Sequence, residues 1–387
     1  MWISTIVYSC MAALLFGLGW HVKSREDKSI AAGGGEITWW RSWESHVCVL
    51  LIAIIAGARY HTGFDHAAYL TDYQFVGASG DFMRHDYEWG FEAITRLFSA
   101  LNIHYFFYFA FWALLQFGFL YYAMRHHKFL LPWLGAFLFL GQYFIYSMNF
   151  VRQGVVEGAF MAMTIFVIER RFWPYALCAV LGSLIHATLL LAFPVYLLCV
   201  VPIRRVSSIW LLLGYFACEV IGLFPEIFIP MFHWVQHILA LTPYEHYNIS
   251  INEMIVNGFE PVAWGPSRIG HLLLYVLIIV IYPYLRQWRP EDKLLSVLFR
   301  LSYTGICLHS LLLCTNNFIL RPVNFLLAAN VVLIPYIIAY LYMTRRWLLF
   351  TFTTIVSYTF IYITIYKAVF LPSDSNAQYL YHFFFLQ

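Results

Sequence analysis

Apolar runs near or above the ~20 residues that cross a ~30 Å hydrocarbon core recur along almost the whole of this sequence, and no soluble fold has a use for so many. With 62% of its residues hydrophobic and 11% charged, the chain reads as an all-α polytopic integral membrane protein. The net charge of +3 then carries no argument for nucleic acid. What counts is how charge is shared between the two membrane faces. The seven cysteines lie in or beside apolar spans and form no CxxC pair, so they suggest neither a disulfide framework nor a metal cluster.

The positive-inside rule orders the spans. Trp2 to Trp20 is followed at once by Lys23, Arg25 and Lys28 and lacks a positive leader, so it is expected to be a retained span with its N-terminus external. A polar, Gly-rich cytoplasmic segment, Val22 to Glu44, leads to a short second span, about His46 to Ala58. Further spans are expected at about Tyr105–Met124, Phe129–Ser147, Val151–Ile168, Ile209–Ile229, Ile269–Leu285, Ser302–Cys314, Pro322–Met343 and Trp347–Leu371. Arg125, Lys128, Arg170, Arg171, Arg204, Arg205, Arg286, Arg289, Lys293, Arg345 and Arg346 then fall inside, and the C-terminal tail from Pro372 falls outside.

Between Arg171 and Arg204, both expected inside, the apolar stretch Trp173 to Val201 must cross an even number of times. Two helices of ~14 residues, ~20 Å each, meeting near Ile185, His186 and Ala187 satisfy this. Non-helical backbone at membrane depth is tolerated only when protein buries it or when it lines a watered cavity, so His186 at the tip of such a hairpin is a functional candidate. About twelve helical segments result, in a single transmembrane domain over 1–387 with an external-facing cavity.

One loop breaks the apolar pattern. Residues 59–101 carry three Arg, four Asp and two Glu against the external face, together with an amphipathic segment, and are the expected catalytic loop. A second external loop, 231–268, holds Glu245, Glu253 and Glu260. The cations outside the cytoplasmic loops are Arg59, Arg84, Arg96, Arg152, Arg268, Arg300, Arg321 and Lys367. Three of these, Arg59, Arg152 and Arg321, stand at external ends of three different spans. If they converge, their permanent charge and planar forks suit a diphosphate.

The order of these parts resembles the EpsG-type branch of the Wzy polysaccharide polymerases. Arg59, Gly63, Asp65 and Tyr69 are similar to that family's first external loop, and Glu88-Trp-Gly-Phe91 to its following acidic motif. Asn149-Phe-Val-Arg152-Gln153 resembles its "RQ" helix start, Leu184-Ile-His186-Ala-Thr188 its intramembrane His, and Arg321-Pro-Val-Asn324 its last Arg motif. Pro322 after the late Arg, and Glu157 in the helix after "RQ", depart from the pattern.

The resemblance implies a GT-C-like, metal-independent glycosyltransferase without cofactor in a bacterial inner membrane. It would join undecaprenyl-diphosphate-linked oligosaccharides, donor and acceptor, in O-antigen, capsule or exopolysaccharide synthesis. A chain-length regulator and a flippase are the expected partners beside membrane lipid. Arg152, Arg321 and Arg59 would bind the lipid diphosphate, with Arg59 alternatively fixing Asp65. His186, Asp65 and Glu88 are the candidates for the base, and His186 needs least help to exchange a proton near neutral pH. Tyr69, Gln153 and Asn324 would contact substrate, and Tyr87, Trp89 and Trp264 offer rings on which sugars stack.

Plainer roles stand beside these. The arginines also suit interfacial anchoring, His186 a bond to a backbone carbonyl, and Asp65 and Glu88 solvated loop charges or helix caps. Two other functions are open to the same sequence. One is a glycosyltransferase using a polyprenyl monophosphate donor, with Asp86 and Glu88 as its acidic pair. The other is a transporter or flippase, against which the absence of matching half-sequences counts.

Overall fold

The structure is a computed structural model, describing residues 2–386 apart from 64, 84–86, 201–205, 242–244, 246, 260, 263, 316 and 372–379. Its described elements are helical, with one isolated antiparallel bridge between Arg59 and Phe383. Among the described residues, seven helices are long and apolar enough to cross a membrane, or up to nine if each of two bent pairs forms one span. Three shorter apolar helices, Trp43–Ala58, Phe172–Ser183 and Ala187–Val200, accompany them. Of the approximately twelve segments expected, spanning length is therefore reached by seven to nine. The helices group into two compact units, Met1–Val200 with Val331–Gln387, and Val201–Asn330.

The first unit opens with α1 (Trp2–Ala31) and α2 (Trp43–Ala58). Its α1 does not stop at Trp20 as expected but continues for three more turns. The polar extension is held by Lys23 to Asp27 at 2.5 Å, one turn apart, and by Arg25 and His21, which share the Oε1 atom of Glu44 on α2 at 2.6 and 2.7 Å. The charged stretch 59–101 folds into α3 (His66–Ser79) and α4 (Trp89–Ala100), followed by α5 (Tyr105–Ala123).

The run expected as one span from Phe129 to Ser147 is broken into α6 (Leu131–Leu140) and α7 (Tyr143–Asn149), bent by 61°. Gln142 makes the break at φ +69 and ties its amide to the Phe360 carbonyl at 2.9 Å. Next come α8 (Val151–Ile168), α9 (Phe172–Ser183) and α10 (Ala192–Val200). Between α9 and α10 the chain runs through the extended His186 and a short 3-10 turn, Ala187–Leu191, at the place where the hairpin tip is expected.

Close packing in this unit uses small residues. The Gly154-x-x-x-Gly158 repeat on α8 faces Gln116 of α5, and a Cβ at Gly158 would come to 2.4 Å from the Gln116 carbonyl oxygen. With lipid as apolar as the side chains, such backbone contact is what draws two spans together. The acid that interrupts this helix, Glu157, is buried but satisfied, accepting from Gln153 at 2.9 Å and from the Tyr143 hydroxyl at 3.3 Å.

The second unit contains α11 (Ser208–Gly222), α12 (Ile229–Leu239), α13 (Tyr247–Asn257), α14 (Pro266–Trp288), α15 (Lys293–Leu311) and α16 (Asn317–Leu327). The run expected as one span from Ile209 to Ile229 turns by 91° where Phe224 precedes Pro225, because a residue before proline is steered out of the helical region. Most of residues 231–268, expected as a second external loop, is helical, with Phe232 of α12 buried against Ile251 and Met254 of α13. Glu260 and the Arg204–Arg205 pair lie outside the described residues. The chain returns to the first unit through α17 (Asn330–Met343), α18 (Trp347–Tyr358) and α19 (Phe360–Phe370). Every residue of α17 from Val331 to Leu341 is buried, as its uninterrupted apolarity requires.

Candidate functional site

The site is built where the charged stretch 59–101 meets the hairpin turn. The buried face of α3 carries Tyr69, Asp72, Tyr73 and Val76, and that of α4 carries Phe91, Thr95 and Ser99. These faces close over Tyr108 and Trp112 of α5 and Val151 and Val155 of α8. Aromatic contacts lock the set. Phe91 stacks on Trp112 at 5.1 Å, and Tyr73 on Tyr108 at 4.5 Å.

Glu88 precedes α4 in extended backbone, but its side chain does not cap that helix. The first amides of α4 are satisfied from elsewhere. Gly90 and Phe91 N–H donate to the Leu184 carbonyl in the hairpin turn at 2.8 and 3.2 Å. The turn reciprocates, since Ala187 N–H donates to Glu88 Oε1 at 3.0 Å and His186 Nδ1 lies 2.7 Å from the same oxygen. Loop and hairpin thus hold each other's open polar groups.

Gly90 is required for this approach, since a Cβ there would lie 2.8 Å from the Leu184 oxygen and 3.0 Å from its Cβ. Gly90→Ala is expected to push α4 off the turn at a cost of about 1–3 kcal/mol. A lowered midpoint of thermal unfolding in detergent, with activity lost in parallel, checks it.

The other oxygen of Glu88 pairs with Arg152 Nη1 in the first turn of α8. The Arg152 guanidinium lies 4.5 Å above the Tyr87 ring and 5.5 Å from that of Phe91. The Tyr69 hydroxyl is in hydrogen-bonding reach of it, and Tyr87 in turn donates to Asp72. The three central side chains retain partial access, 9% for Glu88, 13% for Arg152 and 17% for His186. Arg152 Nε is buried with no hydrogen-bond partner.

Burial works to raise the Glu88 pKa, but the His186 hydrogen bond and the charge of Arg152 outweigh it and hold the group at about 2. Glu88 is therefore an ionised anchor and a poor base. With its carboxylate accepting from Nδ1–H, the lone pair of His186 is directed to Nε2.

The same shift predicts a pH dependence. A carboxyl at 4.5 in the unfolded chain and about 2 in the fold contributes stability above pH ~4.5, about 3 kcal/mol. That contribution is lost as pH falls through ~2. Unfolding titrations should show wild type losing its advantage over Glu88→Gln across this window, and a constant difference would refute it.

Arg59 is 1% exposed. Its Nη1 donates to the Met148 carbonyl at 2.9 Å, its guanidinium lies 5.0 Å over Phe109, and its backbone pairs with Phe383. Asp65, half-buried ahead of α3, is within electrostatic reach of it. Gly63 takes φ +96 and packs so closely on Asn149 that a Cβ would meet its Oδ1 at 2.2 Å. Gln153 is buried and engaged with Glu157. Arg321 and Asn324 lie half-buried on α16 in the second unit.

Three ring expectations separate. Trp89 and Trp264 are 71% and 66% exposed, whereas Tyr87 is buried beneath Arg152. Asp86 lies outside the described residues. The participation of Asp72, the Leu184 carbonyl and Gly90 was not foreseen from the sequence. The buried, helix-spaced face of α3 is the signal that points to Asp72, whereas nothing local points to the other two.

A family model described as the EpsG family matches residues 45–382, most of the chain. No curated protein and no solved structure matches it.

Proposed function

The chain belongs to the EpsG family, and from that membership we propose that this polytopic membrane protein polymerises polysaccharide repeat units by glycosyl transfer from an undecaprenyl diphosphate donor. The reaction takes place at the external face of a bacterial inner membrane, in a GT-C-like arrangement. The observation that carries the proposal is Glu88 bridging Arg152 and His186.

A sugar hydroxyl of one lipid-linked oligosaccharide attacks the anomeric carbon of another. The new C–O bond forms as the bond to the diphosphate oxygen breaks, and that oxygen keeps the electron pair. His186 Nε2 takes the hydroxyl proton as the bond forms. Arg152 stabilises the charge gathering on the departing diphosphate through the face not held by Glu88, including Nε. Glu88 fixes the tautomer of one partner and the orientation of the other. Tyr87 and Tyr69 support the guanidinium, and Arg59 holds the end of α2 against the α7–α8 junction rather than touching substrate. Arg321 and Asn324 of α16 are proposed, from the family pattern, to bind the lipid-linked substrate. Arginine charge serves the leaving group without a metal.

The test is polymerisation of a purified lipid-diphosphate-linked repeat unit by the purified chain, with and without chelator. A product ladder that survives chelation and is lost in Arg321→Ala supports the proposal. Absence of a ladder from wild type, with the same donor consumed by a control polymerase, sinks it.

A further inference from the structure

The second unit contains a polar centre that takes no part in the proposed glycosyl transfer. It is assembled from three of its helices. Glu219 on α11 accepts from Arg268 of α14 through Oε2 and from the Ser310 hydroxyl of α15 through Oε1, the latter at 2.5 Å. Arg268 is 8% exposed, and its Nε and Nη1 are buried with no hydrogen-bond partner. His309, beside Ser310, has an Nδ1 in the same condition. Both Arg268 and His271 act electrostatically on His309, so the three groups are neighbours. Tyr275 bridges them, its ring 6.1 Å from His271 and 6.2 Å from His309.

A guanidinium cannot shed its charge, and its N–H groups only donate. One pair with Glu219 leaves most of its donors unmatched in a buried setting, which is costly unless an acceptor arrives. Arg268 also stands in the first turn of α14, 23 residues long, where the helix dipole and the unpaired amides favour negative charge. A ligand rich in acceptors and lacking donors matches both features. Glu219 and Ser310 then serve to hold the guanidinium in position.

We propose that Arg268, with His309 and the α14 N-terminus, forms a second oxyanion site that takes a phosphate or diphosphate group. The group is carried on a lipid headgroup or presented by a lipid-linked or free diphosphate. This inference goes beyond the polymerase reading and does not require it.

The probes are farnesyl diphosphate and inorganic pyrophosphate, titrated calorimetrically into the full chain in detergent. Because removing Arg268 alone strands a buried carboxylate, the main variant is Arg268→Met with Glu219→Gln, and His309→Leu, which removes the ring donor, leaves the ion pair intact. One class of binding site should vanish in the double variant, and weaken by roughly tenfold in His309→Leu as a charge-assisted contact is lost. It should persist in Arg152→Lys. Binding unchanged in stoichiometry and affinity in a double variant that keeps its helical circular dichroism overturns the proposal, whatever the outcome for polymerisation. Repeating the titration in phosphatidylcholine nanodiscs with and without phosphatidylglycerol distinguishes the sources. Competition assigns the site to a headgroup, and undiminished binding assigns it to the diphosphate. Loss of the site in Arg152→Lys instead of in the double variant also refutes it.

Discussion

His186→Ala is expected to lower polymerisation on the order of 10²–10⁴-fold, the range a positioned general base contributes. The informative companion is His186→Gln, whose amide can still donate to Glu88 but cannot take up a proton. If His186 served only to staple the hairpin to Glu88, at 2.7 Å in wild type, the Gln variant would work nearly as well as wild type. As the base, it fails as badly as Ala, with unchanged unfolding temperature. Single-turnover product formation across pH separates the cases, since loss of the base removes the limb of the profile that reports it. A Gln variant with near wild-type turnover and the same profile would move the base to Asp65.

Arg152→Lys is expected to reduce turnover on the order of 10²–10³-fold, as for loss of one transition-state donor. Lys keeps the charge, and with it the partner that Glu88 needs. What it loses is the planar fork, the stacking over Tyr87 at 4.5 Å and the Nε donor. Because charge on the diphosphate grows as the anomeric bond breaks, the loss should fall on kcat and leave KM nearly unchanged. A tenfold or larger rise in KM at constant kcat would instead make Arg152 a binder of the ground state. Arg152→Ala is less readable, because an unpaired Glu88 in a nearly buried setting destabilises the loop itself.

Much of the site is legible in the sequence, for physical reasons. An Arg or a His costs so much among apolar spans that its presence there is already a signal, which marks Arg152 and His186, while Glu88 is marked by the charged loop and the acidic motif it belongs to. The hairpin around His186 follows from length and charge alone, since two helices of ~14 residues between Arg clusters expected on one side of the membrane turn back on themselves. The partner of each charge is not legible there. Arg152 and Arg59 are expected together as diphosphate ligands, yet Arg152 is paired with Glu88 and Arg59 is buried with its guanidinium over Phe109. Tyr87 was expected on a wet surface and lies under a guanidinium. Helix ends were misjudged where tertiary contacts override local polarity. At the end of α1, buried Glu44 draws His21 and Arg25 into helix past Trp20.

The sequence by itself determined that this chain is an all-helical membrane protein with a charged loop and a broken hairpin, because hydropathy and the cost of unpaired polar groups act locally and leave few alternatives. Only the tertiary structure decided that Glu88 is shared between Arg152 and His186, and that Glu219 holds Arg268. Those pairings join residues 64, 98 and 49 positions apart, a separation over which no periodicity or spacing rule carries information.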